Sequence, residues 1–383
     1  MKRAIVVSSQ WPCTGRSGVS LVAAEHVRVL LGAGFYVSII GSQRAVMEED
    51  LAVASRHVVN ARGSGSLYSP ARIDRKTLME TLIVLRADVV IVEAWQTALT
   101  DATVEICDQL RLPTLMVSHG VSLFPASSGL SQWFRAALWA HYRYVRFPRL
   151  LKAVSRLTAL DMRSKSDRFY DREAALRQGI PISLVTNCPI HVSNSRYSRE
   201  KRRPQILLVG YFSRVKNQLF AISLLRDLPS EIRLRMVGRR SGRYFARCVR
   251  EVRRLGLQDR VEFIEDSACD LAEEFAVSLA VLSTSVTEAM PITLLEAMAA
   301  GTPFVATPVG AIPALLGGRM ACNVSEFQDE LLQLICDAAH WQRLSEAGRQ
   351  QIVGEFQSER VREQFLTAVN LTLNPSPAGR ERV

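Results

Sequence analysis

Several features that would assign this chain to a particular class of protein are missing. No apolar run approaches the ~18 residues needed to cross a bilayer, and the apolar part of residues 1–8 is too short for a signal peptide. We therefore predict a cytoplasmic protein. The 7 cysteines are scattered and include no C-x-x-C pair, so neither disulfides nor a structural zinc site is expected.

Signatures of nucleic acid recognition are also missing. No helix-turn-helix, zinc-finger or RNA-binding motif accompanies the formal net charge of +11, nearly all of which arginine supplies. Such a charge suits phosphorylated small molecules or anionic lipid as partners. We therefore expect no nucleic acid partner.

Composition and length predict two globular domains. Apolar residues make up 48% of the chain and charged residues 22%, and 383 residues suffice for two separate cores. In the first half, helical patterns alternate with strand-like runs at residues 2–8, 36–40, 58–60, 89–93 and 114–118. This alternation predicts an α/β domain with a parallel sheet, in which ligands bind beyond the carboxyl ends of the strands.

Two features of the first half are candidates for such a site. Gly15 and Gly18 follow the first strand, where glycines let the backbone approach a ligand, although a bare turn would explain them equally well. His119 follows the strand at 114–118, and a surface or core imidazole is the alternative interpretation.

The second half begins with another strand, at residues 206–210, followed by a loop and a helix. Arg214 and Lys216 stand in that loop, where a strand gives way to a helix, which is a suitable place to neutralise a diphosphate. A solvated basic loop is the alternative. Residues 191–204 are polar and basic and are predicted to form the interdomain linker.

The most informative stretch is 283–313, which predicts a loop carrying Glu288, a helix over about 291–300 and a short strand. Pro291 suits the first helical turn and Gly301 the C-terminal cap. The helix N-terminus would place the backbone of Ala289, Met290, Pro291, Ile292 and Thr293 at a pyrophosphate. Glu296 lies on the same helix, and each carboxylate can accept hydrogen bonds from sugar hydroxyls. A surface helix with two solvated glutamates is the alternative.

The run TEAMPITLLEAMAAGTPFVATPVGAIP resembles the donor-site signature of family-4 retaining glycosyltransferases, known as glycosyl transferases group 1. The resemblance implies the GT-B fold, with two Rossmann-like domains facing across a cleft. It implies that Glu288 contacts the transferred hexose, that Glu296 holds the ribose hydroxyls and that His119 contacts the donor sugar. Lys216 matches the family lysine, whereas Tyr211 stands where the family has arginine.

The resemblance also implies a mechanism. Retention in this family resembles front-face displacement, in which the departing diphosphate helps to deprotonate the acceptor, so no general base is assigned. No D-x-D triplet occurs, which fits metal-independent chemistry. We therefore expect no metal and no cofactor, with a UDP- or GDP-sugar as the donor substrate.

Residues 132–156 mix aromatic and cationic side chains, a combination that suits a membrane interface. This pattern predicts peripheral contact with anionic membrane at the inner face of the cell membrane. The alternative is an ordinary surface helix whose aromatic residues belong to the domain core.

The predicted function is transfer of a sugar from a nucleotide sugar to an acceptor hydroxyl, such as a lipid-linked saccharide, in bacterial-type polysaccharide or glycolipid biosynthesis. Two alternatives remain: a nucleotide-sugar epimerase, and a catalytically silent partner subunit, which Tyr211 favours slightly. The predicted organisation is an acceptor-binding domain over residues 1–190, a linker over 191–204 and a nucleotide-sugar domain over 205–355. A helix over 356–371 crosses back to the first domain, and a tail follows over 372–383.

Overall fold

The computed structural model describes residues 1–11, 17–42, 51–64, 69–121, 137, 139–193, 195 and 197–375. The chain divides into two compact units. The first comprises Met1–Asn187 together with Glu359–Val383, and the second comprises Cys188–Ser358. The division falls a few residues before the linker that the sequence predicted at 191–204, and the described part of that segment belongs to the second unit.

The first unit contains a parallel sheet of 7 strands: β1 (Arg3–Ser8), β2 (Tyr36–Ser42), β3 (Ser55–Val59), β6 (Val89–Glu93), β7 (Thr114–Val117), β8 (Arg156–Ala159) and β9 (Ile182–Leu184). Their order in the sheet is β3-β2-β1-β6-β7-β8-β9. Two short strands, β4 (Ala61–Arg62) and β5 (Arg72–Ile73), pair antiparallel outside this sheet. The strand order reverses between β1 and β6, so their carboxyl ends form the topological switch point at which such sheets bind ligands.

Helices cover this sheet, and their starts are marked by side-chain caps at Ser17, Asp74 and Thr97. Among the described residues of this unit, the α-helices include Gly18–Gly32, Arg75–Leu85, Ala98–Gln109, Phe147–Ala153, Tyr170–Gln178 and Ser358–Leu373. The last of these packs Phe365, Ala368 and Val369 into a core cluster with residues of β1 and β2. The C-terminal helix is therefore part of the first unit.

The second unit contains a parallel sheet of 6 strands: β10 (Arg203–Val209), β11 (Arg233–Val237), β12 (Val261–Ile264), β13 (Ser278–Ser283), β14 (Phe304–Ala306) and β15 (Gly318–Met320). Their order in the sheet is β12-β11-β10-β13-β14-β15. Here the order reverses between β10 and β13. The loops that follow these two strands therefore lie at the second switch point.

The helices of the second unit are Gln218–Leu224, Gly242–Arg254, Leu271–Val277, Ile292–Ala299, Val324–Cys336 and Ala338–Glu355. Their apolar faces close a core around β10, β11 and β13, with Trp341 buried and its indole N–H donating to the Leu279 carbonyl at 2.7 Å. Across the described residues of both units, no helix is long and apolar enough to span a membrane.

Candidate functional site

The helix Ile292–Ala299 begins directly after the loop that follows β13. Pro291 has an extended conformation (φ −72°, ψ 120°) and is the N-cap residue, so the prediction that Pro291 lies within the first helical turn was wrong by one position. The carbonyl of Pro291 accepts a hydrogen bond from the Leu294 N–H at 3.2 Å. The amides of Ile292 and Thr293 lie in the first turn, where an α-helix supplies them no internal acceptor. These N–H groups are therefore placed to bind an anion.

A turn at residues 309–311 supports the loop that leads into this helix. Gly310 has φ +60°, and a Cβ at that position would clash with the carbonyl oxygens of Glu288 and Ala289. The Ala311 N–H donates to the Ala289 carbonyl at 2.7 Å. Ala289 and Met290, two of the predicted site residues, are buried and so anchor the backbone of this loop. Sequence reasoning overlooked Gly310, although a glycine after the short strand β14 was the available signal.

Glu288 and Lys216 form an ion pair, with Nζ of the lysine 2.5 Å from Oε1 of the glutamate. Both side chains are more than four-fifths buried. Gly210, at φ +151°, leaves room for the lysine stem, because a Cβ there would lie 3.3 Å from Cε of Lys216. The Thr284 hydroxyl donates to the Lys216 carbonyl at 2.9 Å and so ties the two loops together. The structure thus joins two predicted site residues that lie 72 positions apart.

Arg214 and Tyr211 are not part of this ion pair. Both side chains are exposed, and in the described ranges no hydrogen bond or ion pair involves the Arg214 guanidinium. The expectation that Arg214 compensates for the family arginine missing at Tyr211 stays a prediction.

Glu296 lies in the same helix, and its carboxylate is almost completely buried. Its Oε1 accepts two hydrogen bonds from His191, from the backbone N–H at 3.0 Å and from ring Nδ1 at 2.6 Å. No bond within the described part of the chain reaches Oε2. His191 was predicted only as a linker residue, and its 105-residue separation from Glu296 gave no local signal for this contact.

In the first unit, a buried carboxylate joins two histidines. Oε2 of Glu93 lies 2.8 Å from Nε2 of His119, and Oε1 lies 2.8 Å from Nδ1 of His26. Burial alone would raise the pKa of Glu93, but the His26 charge and the hydrogen bonds from both rings lower it from 4.5 to about 2. His119 is therefore held at the carboxyl end of β7 by the residue that ends β6.

The backbone beside His119 is fixed separately. Oδ2 of the buried Asp171 accepts from the Ser118 hydroxyl at 2.6 Å and from the Trp95 indole N–H at 2.9 Å. Burial raises the pKa of this carboxyl. The Gly120 N–H donates to the same Ser118 hydroxyl at 3.1 Å, so hydrogen bonds restrain the chain on both sides of His119.

The two predicted loop glycines have different outcomes. Gly15 lies outside the described residues. Gly18 is the first residue of the helix Gly18–Gly32, which follows the N-cap Ser17, and it is not among the glycines with positive φ. The local structure therefore identifies a helix start at Gly18.

Comparison with known proteins gives one family match and one curated relative. The family described as "Glycosyl transferases group 1" matches residues 193–351. The N-acetyl-alpha-D-glucosaminyl L-malate synthase of Bacillus anthracis is 27% identical over 168 residues, which cover 42% of this chain and 44% of that relative. The predicted resemblance to group 1 glycosyltransferases is confirmed, whereas the retaining subtype stays a prediction.

Solved structures match almost the whole chain. The sucrose-phosphate synthase of Thermosynechococcus elongatus gives a TM-score of 0.71 at 17% identity, covering 98% of this chain and 100% of that one. HepE of Anabaena, solved with UDP and glucose, gives a TM-score of 0.70 at 16% identity, covering 97% of this chain and 100% of that one. The predicted GT-B fold class is confirmed.

Proposed function

We propose that this chain, whose residues 193–351 match the group 1 glycosyltransferases, transfers a sugar from a nucleotide sugar to an acceptor hydroxyl with retention at the anomeric carbon. The observation that carries this proposal is the ion pair of Lys216 with Glu288, in the loop that leads into the helix Ile292–Ala299, together with Glu296 in that helix. Cations and free amides suit a diphosphate, and carboxylates suit sugar hydroxyls. The complex of HepE with UDP and glucose supports a nucleotide-sugar ligand.

Charge stabilisation on the leaving group is the proposed source of rate enhancement. As the glycosidic bond to the diphosphate breaks, negative charge grows on the phosphate oxygens. Lys216 and the amides of Ile292 and Thr293 would bind that charge, as would Arg214 if its exposed side chain turns inward. The missing D-x-D motif supports transfer without a metal, with the diphosphate helping to remove the acceptor proton.

The carboxylates are proposed to orient the sugars. Glu288 would accept from hydroxyls of the transferred hexose once a phosphate competes for Lys216. Glu296 would bind the ribose through Oε2, because its other oxygen already accepts from His191. In the first unit, His119 would bind a hydroxyl of the sugar substrate.

A lipid-linked acceptor in polysaccharide or glycolipid biosynthesis is proposed from the surface of the first unit. Within the described part of residues 132–156, Tyr142 and Phe147 are buried in the core and Trp139 packs against it, so these aromatic residues follow the alternative interpretation. Tyr144 and Val145 are exposed, however, and the exposed cations Arg149 and Lys152 follow them. This smaller set supports peripheral contact with an anionic membrane.

Thermal-shift and hydrolysis assays with UDP-, GDP-, ADP- and TDP-sugars test the proposal. We expect one class to stabilise the protein and to be hydrolysed slowly, and Glu296→Ala to abolish both effects. Glu346→Ala, at an exposed position of the same unit, is the matched control. Absence of any response in the wild-type protein would contradict the proposal and favour a silent partner subunit. The anomeric configuration of the product, read by NMR, tests retention.

A further inference from the structure

We propose that Glu93 is a positioning residue that fixes the tautomer of His119, so that ring nitrogen Nδ1 is the one that meets a sugar hydroxyl. This inference rests on the proposed function only for the identity of the ligand. The arrangement itself lies entirely within the first unit, among Glu93, His119 and His26.

Glu93 occupies the place in the first sheet where a ligand is expected. It ends β6, pairs in register with Ser8 of β1 and with Val117 of β7, and so stands at the topological switch point. The chain then turns through two residues with left-handed backbone, Ala94 (φ 67°) and Gln96 (φ 70°). Non-glycine residues in this conformation are strained, and such strain is concentrated at functional sites.

The charge of Glu93 determines which ring nitrogens carry protons. Its pKa of about 2 means that the carboxylate is ionised at neutral pH, and an ionised carboxylate only accepts hydrogen bonds. Each ring nitrogen that contacts it must therefore donate an N–H. Nε2 of His119 and Nδ1 of His26 are accordingly protonated, each 2.8 Å from its carboxylate oxygen.

This assignment has a chemical consequence for His119. In a neutral imidazole, a proton on Nε2 leaves a lone pair on Nδ1, and the hydrogen bond made by one nitrogen decides the role of the other. The Nδ1 atom can then accept a hydrogen bond from a hydroxyl group of the substrate. A carboxylate that orients a histidine in this way acts through it without touching the ligand.

The second arm of the arrangement holds Glu93 itself. The His26 ring stacks on Phe365 with centroids 3.9 Å apart and an interplanar angle of 7°. Phe365 belongs to the helix Ser358–Leu373, whose Arg362 also donates to Glu25 at 2.8 Å. The C-terminal helix thus fixes His26, His26 fixes Oε1 of Glu93, and Oε2 is left to hold His119.

The direct test is long-range proton–nitrogen NMR of the histidine rings in the full-length wild-type protein. We expect His119 to carry its proton on Nε2 and to show an unprotonated Nδ1. A spectrum with a protonated Nδ1, whether Nε2 is bare or also protonated, would overturn the proposal, and this measurement needs no variant and no substrate.

The variant Glu93→Gln tests the same point by isosteric replacement. A glutamine amide accepts through its oxygen and donates through its nitrogen, so at least one of the two histidines must change its tautomer to keep its hydrogen bond. We expect the ring spectrum to change and kcat/KM for donor hydrolysis to fall about 10- to 100-fold. His26→Asn keeps an N–H donor for Oε1, so there we expect the Nε2–H signature of His119 to persist.

Binding of UDP by thermal shift separates the two proposals. Nucleotide binding is expected to depend on the second unit, so Glu93→Gln should bind UDP as the wild type does while losing turnover. Turnover equal to that of the wild type would overturn the positioning role. Failure of the wild type to respond to any nucleotide sugar would instead contradict the proposed function, and the tautomer measurement would still decide this inference.

Discussion

Oε1 of Glu296 accepts two hydrogen bonds from the same residue, the backbone N–H and ring Nδ1 of His191. The carboxylate is almost completely buried, so its orientation is fixed before any ligand arrives. A carboxylate oxygen offers about two acceptor directions, and His191 uses both on this oxygen. Oε2 is consequently the atom left for a ribose hydroxyl in the proposed function.

We expect His191→Ala to weaken binding of a ribonucleoside diphosphate about tenfold, since a hydrogen bond to a charged group is typically worth ~1.5 to 3 kcal/mol. Titration calorimetry with UDP and with its 2′-deoxy analogue would measure this effect. The substitution His191→Ala should weaken binding of the analogue less than binding of UDP, because the analogue makes fewer contacts with Glu296. An equal loss for both ligands would show that His191 acts on the fold and not on ribose recognition.

Lys216→Met should lower kcat more than it lowers nucleotide affinity. The lysine would stabilise charge that develops as the diphosphate leaves, and removal of one such group typically costs ~10²- to 10³-fold in kcat. The variant also leaves Glu288 without its cation in a largely buried place, which adds to the loss. Steady-state hydrolysis of the donor gives both constants.

Arg214→Met is the matched comparison for the lysine variant. Arg214 stands in the same loop but is exposed, so we expect a loss of less than about tenfold. A loss as large as that of Lys216→Met would show that Arg214 moves onto the diphosphate and replaces the family arginine missing at Tyr211.

Gly310→Ala should destabilise the second unit by ~1 to 3 kcal/mol, because φ is +60° and a Cβ would clash with the carbonyl oxygens of Glu288 and Ala289. We expect a lower Tm and weaker nucleotide binding, both read by thermal shift. Gly354→Ala, in the helix Ala338–Glu355, is the control. Nothing lies within 4 Å of a Cβ placed at position 354, and alanine is a better helix former than glycine. Equal Tm values for the two variants would contradict the supporting role of Gly310.

Local sequence patterns predicted the parallel sheets, and the resemblance to a known family implied the GT-B fold. Alternating strand and helix patterns identified both sheets, since a parallel strand buried on both faces is a continuous apolar run such as Val89–Glu93. Glu288, Glu296 and the helix between β13 and β14 followed from one contiguous stretch. The start of that helix was misplaced by one residue, because proline suits the N-cap and the first turn alike.

Contacts between distant positions could not be predicted from those patterns. Glu93 was read only as the end of an apolar strand, and its bonds to His26 and His119 depend on how β6 and β7 pair and where the helix Gly18–Gly32 packs. The His191 contact depends in the same way on tertiary packing. These contacts form only when distant segments pack together, so a local pattern in the sequence does not reveal them.

Peripheral membrane contact predicts that the protein binds liposomes containing anionic lipid. We expect Arg149→Glu combined with Lys152→Glu to reduce sedimentation with such liposomes strongly, since each cation contributes about 1 kcal/mol near the surface. Arg250→Glu with Arg253→Glu, on the exposed face of the helix Gly242–Arg254, makes the same change of charge elsewhere. Equal release by both pairs would indicate that net charge alone drives the binding.

Asp101 should make the first unit less stable as pH rises. Burial raises the pKa of this carboxyl from 3.8 to about 7, despite the nearby charge of Arg146. Between these two pH values the unfolded chain releases a proton that the folded chain keeps, so the free energy of unfolding falls as pH rises through that window.

The variant Asp101→Asn tests this. It keeps an acceptor for the Gln96 N–H, which in the wild type donates to Oδ1 at 3.0 Å, and it has no proton to lose. Urea unfolding should therefore show the variant more stable than the wild type at pH 8, by on the order of 4 kcal/mol, with a difference that shrinks towards pH 4. Asp108→Asn, at an exposed position of the same helix, is the control. A constant difference between Asp101→Asn and the wild type across this range would contradict the shifted titration of Asp101.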